Sequence, residues 1–344
     1  MIICLDATPL TMSSGGLPRY VSELSGALAE AYPSDQFVLS SDQPFRSQLA
    51  QLPRPRNWLE RRWWFYGAER ANRKAAVTLY HGTNFAVPYF ARRPTVMTVH
   101  DLSPWLNPAW HAGAERVRVR TPRMIGLATM IITLTQAVRR EVIDRFRVAA
   151  DRVAVTPLAA SVAFRPVPSP AAKPYFVFVG TLEPRKNIPM LLEAWREVKR
   201  EQDVDLVLAG RRRSDLPEIA PEDGLRILGE TPEADLPELY SNAVAAIYAS
   251  EYEGFGLPVL EAMQCGTPVI ISHDPALTEV SGGAALPVAS AGEMAAAMRS
   301  LLGDPSLRAE TSAKSLDRAR DFSWETTATL TYEVYQEAVA RFGR

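Results

Sequence analysis

Short β-branched or apolar runs alternate with segments of helical period along the whole chain, and few architectures absorb such a pattern. Each strand must be followed by a helix that crosses back over a parallel sheet, with helices covering both faces. Strands are expected at residues 2–5, 37–40, 77–81, 95–100, 130–134 and 153–157. The pattern then restarts at 175–179, 204–209, 226–228, 245–248, 268–271 and 285–288. Between them, residues 136–147 carry Val138, Val142, Ile143 and Phe146 on one face behind a Thr135 cap, and 188–200 carry Ile188, Leu191, Leu192, Trp195 and Val198 at helical spacing. Residues 165–174 hold four prolines, a composition that suits a semi-rigid linker. The expectation is an α/β chain of two doubly wound domains, 1–165 and 175–322, joined by a linker at 166–174. From Pro305 on, the sequence is helical, with Ser323 capping a last helix, 323–344, expected to pack back on the first domain. Ligands are expected in the cleft that faces the carboxyl ends of the strands.

The total charge of −1 gives no reason to expect a nucleic-acid partner, but it conceals a division. Residues 1–165 hold 21 Lys+Arg against 12 Asp+Glu, and the remainder 17 against 27, so the first half is the one suited to anionic surfaces. Cys4 and Cys265 stand far apart, which argues against a disulfide framework and for a reduced cytoplasmic compartment. The opening MIICLDATPL reads as a core strand, with no basic leader and too short an apolar run for a signal peptide.

Four segments can carry chemistry. In the first, Glu253 and Glu261 flank Gly254, Phe255, Gly256, Leu257 and Pro258, a glycine loop feeding a helix N-terminus. Glu253 is expected on the loop and Glu261 in the first turn, offering carboxylates to sugar hydroxyls; the competing reading is that Glu261 complements the helix dipole and the glycines turn the chain. In the second, Arg185 and Lys186 follow a strand and precede a helix capped by Asn187, a place suited to a diphosphate, or else a solvated basic loop. The third, Ser14, Gly15 and Gly16, lacks dinucleotide-fingerprint spacing and is weak alone. The fourth is His100 at a strand end, like His81, a position more often structural than catalytic. Asp203 and Asp205 could hold a divalent cation but precede their strand, away from the expected cleft, and no Cys/His cluster has metal-ligand spacing.

Together these segments resemble the GT-B glycosyltransferases, and within them the retaining family 4 enzymes. The likeness runs from GGLPRY near the start through HDL to GTLEPRKN and EGFGLPVLEAMQCGTPVI, the last matching the family's E-x7-E element. It implies two Rossmann-like domains facing a central cleft, a nucleotide-diphosphate sugar as donor, no cofactor and no required metal. Residue by residue, it implies that Glu261 binds the donor ribose and Glu253 the transferred sugar, with Gly254, Phe255, Gly256 and Leu257 against sugar and phosphate. It likewise implies that Lys186 neutralises the leaving diphosphate, that Gly15 and Gly16 approach the donor from the other domain, and that His100 contacts the sugar. Many members carry an arginine where this chain has Thr181, so Arg185 must supply the second charge. The GTLEPRKN form resembles a bacterial branch associated with polysaccharide mannosyl transfer, which implies GDP-mannose and a glycan or lipid-linked acceptor. A GT-B epimerase or phosphorylase, or a non-catalytic sugar-nucleotide binder, would share much of this sequence.

Residues 54–66 interleave Arg54, Arg56, Arg61 and Arg62 with Trp58, Trp63, Trp64, Phe65 and Tyr66. Two readings stand side by side: an anionic membrane surface met by a peripheral enzyme, or a buried amphipathic helix with an arginine face.

Overall fold

The computed structural model describes every residue except 13, 14, 112, 113, 168, 170–172 and 344. Ser14 of the first glycine segment and part of the proline-rich stretch therefore lie outside the described residues. The chain divides into two compact units, Met1–Leu158 with Ser323–Arg344, and Ala159–Phe322.

The first unit is built on β1 (Ile2–Asp6), β2 (Gln36–Ser40), β3 (Ala50–Gln51), β4 (Leu79–Gly82), β5 (Thr95–Val99), β6 (Met130–Thr133) and β7 (Val153–Val155). They form one parallel sheet in the order β3-β2-β1-β4-β5-β6-β7. Strands such as β5 and β6 are buried along their whole length because helices cover both faces, which explains their continuous apolar runs. Thr135 caps the helix Gln136–Phe146 by accepting from Val138 N at 3.2 Å. The last helix, Trp324–Arg341, capped by Ser323, packs against Gly16–Ala31; Tyr332 stacks on Tyr32 with ring centroids 3.6 Å apart.

The second unit repeats the plan with β8 (Tyr175–Val179), β9 (Asp205–Ala209), β10 (Leu225–Gly229), β11 (Ala245–Tyr248), β12 (Val269–Ser272) and β13 (Leu286–Val288), parallel in the order β10-β9-β8-β11-β12-β13. In both sheets the strand order reverses beside the first strand, between β1 and β4 and between β8 and β11. Connections leave in opposite directions there, which opens a crevice at the strands' carboxyl ends.

Three expectations change. The passage between units falls after Leu158, ahead of the proline-rich stretch rather than at residues 166–174. Described parts of that stretch are fastened within the second unit, Val167 N donating to Ser241 Oγ at 2.9 Å and Ser169 N to Asn242 Oδ1 at 2.7 Å. Residues 54–66 form no amphipathic α-helix: Trp63–Gly67 is a single π-helical turn. Trp63 enters the core beside Cys4 and Val38, whereas Trp58, Phe65 and Tyr66 are exposed, so the segment has a buried face and a wet aromatic one.

Candidate active site

The β8/β11 crevice collects most of the charged candidates. β8 runs into Gly180, whose φ of +147° only glycine adopts freely, then through Glu183 into the 3-10 turn Pro184–Lys186. Asn187 ends that turn in the left-handed region at φ +49° and starts the helix Ile188–Lys199. It caps by conformation alone: its side chain bonds no helix N–H, contrary to the expected side-chain cap, and asparagine tolerates this backbone. On the other side β11 leads through Ser250 to Glu253.

The structure joins Arg185, Lys186 and Glu253 directly. Arg185 Nη1 donates to Glu253 Oε2 at 2.8 Å and to the Tyr252 carbonyl at 2.9 Å, while Lys186 Nζ pairs with Glu253 Oε1. Ser250 Oγ donates to the same oxygen at 2.7 Å, and the Glu253 N–H donates to Asp274 Oδ2 at 3.1 Å. Glu253 is only 7% exposed. Burial alone would raise its carboxyl, but Lys186 and Arg185 outweigh burial and hold it at about 2. The Lys186 ammonium is pulled down, first by burial and then by the neighbouring Arg185. The two cations are therefore not a solvated basic loop, nor two unopposed charges: one ionised carboxylate aims both.

Glu261 sits on the helix Leu257–Gln264 beyond its first turn rather than in it, and is 2% exposed. That placement removes the simple dipole reading, since the favourable effect fades past the first turn. Tyr240 Oη donates to Glu261 Oε2 at 3.4 Å and lies 3.2 Å from the Tyr248 hydroxyl, so Glu261 shares a buried polar pocket with two phenols. Gly256 starts this helix at φ +91°, and a Cβ there would meet Leu277 Cδ2 at 2.4 Å. A larger residue would be strained at this φ and would force the Leu277 side chain to move. Phe255 is buried with its ring edge-on to Phe322, so Gly254 and Leu257 flank a fixed loop.

Gly15, Gly16 and His100 belong to the first unit. Gly15 adopts φ +116°, and Gly16 begins the helix Gly16–Ala31 with open space where a side chain would be. His100 follows β5; its Nε2 donates to the Thr83 carbonyl at 2.7 Å, which makes Nδ1 the acceptor of a neutral ring. Burial lowers its proton affinity. His81, by contrast, uses both ring nitrogens, 2.7 Å from Tyr335 Oη and 2.8 Å from Thr98 Oγ1, and is structural. Asp203 and Asp205 lie at the amino end of β9, where Lys173 reaches both at 2.7 Å. Among the described residues no cluster of His, Cys, Asp and Glu has a metal-binding arrangement, and no helix is long and apolar enough to cross a membrane.

Sequence reasoning passed over Glu183 and Arg213. Glu183 meets Arg185 Nε at 2.7 Å and accepts from Arg213 Nη1 at 2.5 Å. The available signal was the arginine run 211–213 at the carboxyl end of a strand neighbouring β8.

Comparison with known proteins places the chain in a family. Residues 14–164 match the model of Glycosyltransferase Family 4, and residues 162–318 that of Glycosyl transferases group 1. The O-antigen chain mannosyltransferase B of Escherichia coli is 33% identical over 382 aligned positions, spanning 98% of this chain and 100% of that protein. A sucrose-phosphate synthase from Thermosynechococcus elongatus shares the fold with a TM-score of 0.80 at 21% identity, covering 98% of this chain and 99% of that one. Anabaena HepE, solved in complex with UDP-glucose, gives 0.75 at 18% identity over 98% and 99% of the two chains. The two matched halves and the full-length mannosyltransferase relative show that this chain belongs to the GT-B glycosyltransferases of family 4 and is a hexosyltransferase.

Proposed function

We propose that the enzyme transfers mannose from GDP-mannose to a hydroxyl of a glycan or lipid-linked acceptor, with retention of anomeric configuration. The observation that carries the reaction type is the cation pair, Arg185 and Lys186, aimed by Glu253 at the β8/β11 crevice. In front-face displacement the acceptor oxygen bonds to the anomeric carbon as the bond from that carbon to the phosphate oxygen breaks. The acceptor proton passes to the departing phosphate. Negative charge grows on the diphosphate, so fixed cations beside a helix start stabilise the transition state more than the ground state. Donor binding draws Lys186 and Arg185 toward phosphate, and Glu253 then accepts a hydroxyl of the transferred sugar. Glu261 takes the ribose hydroxyls. The loop Gly254, Phe255, Gly256 and Leu257 lies against sugar and phosphate; Gly15 and Gly16 serve the phosphates; His100, neutral, hydrogen-bonds the sugar. The cations supply charge stabilisation that other transferases obtain from a metal, and transfer is expected to persist in chelator.

Mannose is supported by the Escherichia coli relative, an O-antigen chain mannosyltransferase. A panel of sugar nucleotides, scored by thermal shift and by transfer, tests the donor: the largest shift and turnover are expected with GDP-mannose. A larger response to a UDP-sugar overturns the choice.

For the acceptor side, the exposed aromatics of the 54–66 segment support peripheral binding at the anionic inner face of the cytoplasmic membrane. Phe65 stacks on Tyr89 at 4.4 Å, Phe65 and Tyr66 both approach the exposed Phe90, and Arg62 lies 5.6 Å over the Trp58 ring. Aromatic rings beside arginines match a headgroup region. Flotation with anionic but not zwitterionic vesicles at low salt is the expected result; absence of binding to both sinks the lipid reading.

A further inference from the structure

The arginine run 211–213 has no part in the roles above, yet the fold carries its last member into the crevice. β9 ends at Ala209, and Gly210 lies so close to the chain leaving β8 that a Cβ there would sit 1.9 Å from the Gly180 carbonyl oxygen. Past that point the two segments continue side by side: Leu182 N donates to Arg211 O at 2.9 Å, and Arg213 N to Leu182 O at 2.9 Å. Arg213 therefore arrives beside Glu183. One edge of its guanidinium is held by Asp215, with Nε donating to Oδ1 at 2.9 Å, and Nη1 donates to Glu183 Oε2 at 2.5 Å. The other Glu183 oxygen faces Arg185 Nε at 2.7 Å. Asp215, Arg213, Glu183, Arg185, Glu253 and Lys186 thus form one series of alternating sign.

Glu183 is 6% exposed, as buried as Glu253 at 7%. Buried ion pairs stabilise a fold poorly compared with apolar packing of the same volume, so stability alone is a weak reason for the series. Its geometric effect is specific. The Arg185 guanidinium lies between two carboxylates, Glu183 paired 2.7 Å from Nε and Glu253 hydrogen-bonded to Nη1, so its charge is confined from two sides and Glu183 remains beside it when Glu253 turns to the sugar. We propose that Glu183 and Arg213 are positioning residues for sugar transfer, holding Arg185 in the orientation in which it meets the leaving diphosphate. This rests on the reading of Arg185 as a diphosphate ligand.

A double-mutant cycle tests it, with steady-state kinetics and thermal unfolding on Glu183→Gln, Arg185→Ala and the pair. Glu183→Gln keeps the shape and leaves the Arg185 charge in place, so attraction for the donor survives while alignment with developing charge is lost. The expected result is a fall in kcat of about tenfold with donor KM unchanged or lower. In the Arg185→Ala background the same change is expected to cost nothing more, because its target is gone. Losses that multiply, or an unchanged kcat in Glu183→Gln, overturn the proposal. An unchanged kcat and KM in Arg185→Ala overturns instead the diphosphate reading beneath it. If Glu183→Gln fails to fold, the more exposed Arg213→Met replaces it in the cycle, with a smaller fall in kcat expected and the same two overturning outcomes.

Discussion

The two units place different chemistry at the same topological point. Beside β1 and β4, the first unit sets a chain of neutral hydrogen bonds: Tyr335 to His81, His81 to Thr98, and Thr98 to Tyr20 at 2.9 Å. Burial pushes the Tyr20 hydroxyl well up and holds His81 down to about 3, so no member carries charge near neutrality. Beside β8 and β11, the second unit sets six ionised side chains in series. The strand order is shared and the electrostatics differ, a neutral network beside the buried carboxylate Asp6 against a series of ion pairs, so sheet topology supplies a crevice while the side chains set around it decide what it does. A neutral network fixes shape; an ionised one can answer charge that develops during a reaction.

The largest test of this contrast is Lys186→Ala. Loss of one preorganised positive group beside a developing anion is expected to lower kcat by roughly 10²–10³-fold, measured by transfer under saturating donor. The fold should survive, since Glu253 keeps Arg185 and Ser250 as partners. Turnover near wild type would break the comparison by removing chemistry from the charged crevice.

A smaller effect concerns the neutral crevice and acid. In the unfolded chain His81 takes a proton near 6.5, whereas in the folded protein burial holds it to about 3. Between those values the unfolded state binds more protons, so stability falls as pH drops through that window, by about 2 kcal/mol from this residue at pH 5. Glu253 behaves differently: lowered from 4.5 to about 2, it is stabilising above 4.5 and its contribution disappears only as pH falls from there toward 2. Asp6 and Asp274, raised by burial to about 6, oppose this trend in the same window, so the difference between wild type and variant is the readout: in denaturant unfolding from pH 7 to 5 it should change by about 2 kcal/mol for His81→Gln and stay nearly constant for Glu253→Gln. Equal changes for both variants would refute the assignment.

The smallest effect is expected from Asp203→Asn. Its carboxylate is paired with Lys173 and Lys199 at the amino end of β9, remote from the strand ends that carry the chemistry. Transfer rate and metal response should equal wild type; a selective loss of rate would relocate the charged site.

Much of this was legible in the sequence for one physical reason. Strands buried on both faces read as continuous apolar runs, so β5, β6, β8 and β11 announce themselves, and Thr135 and Ser323 cap where their side chains suggest. β3 does not, because its two residues are exposed and carry no apolar signal. The Trp63–Gly67 turn hides in an aromatic run, since π-helical spacing matches neither regular period. The Arg185, Lys186 and Glu253 segments were legible from position after strands, but their mutual pairing depends on β8 lying next to β11. Glu183 and Arg213 were missed for the same reason: their contact requires β9 beside β8, and an arginine run by itself reads as a solvated face.

The return of the chain at Ser323 has a consequence for the order of biosynthesis. The first unit lacks Trp324–Arg341, the helix that packs on Gly16–Ala31 and brings Tyr335 to His81, until residues 159–322 of the second unit have been made. The second unit is contiguous and complete by Phe322. On the ribosome, where amino-terminal domains ordinarily finish first, this chain reverses the sequence: the later-encoded unit can close while the earlier one waits for its final helix. A released chain ending before Ser323 would contain every residue of the charged crevice but lack the helix that brings Tyr335 to His81.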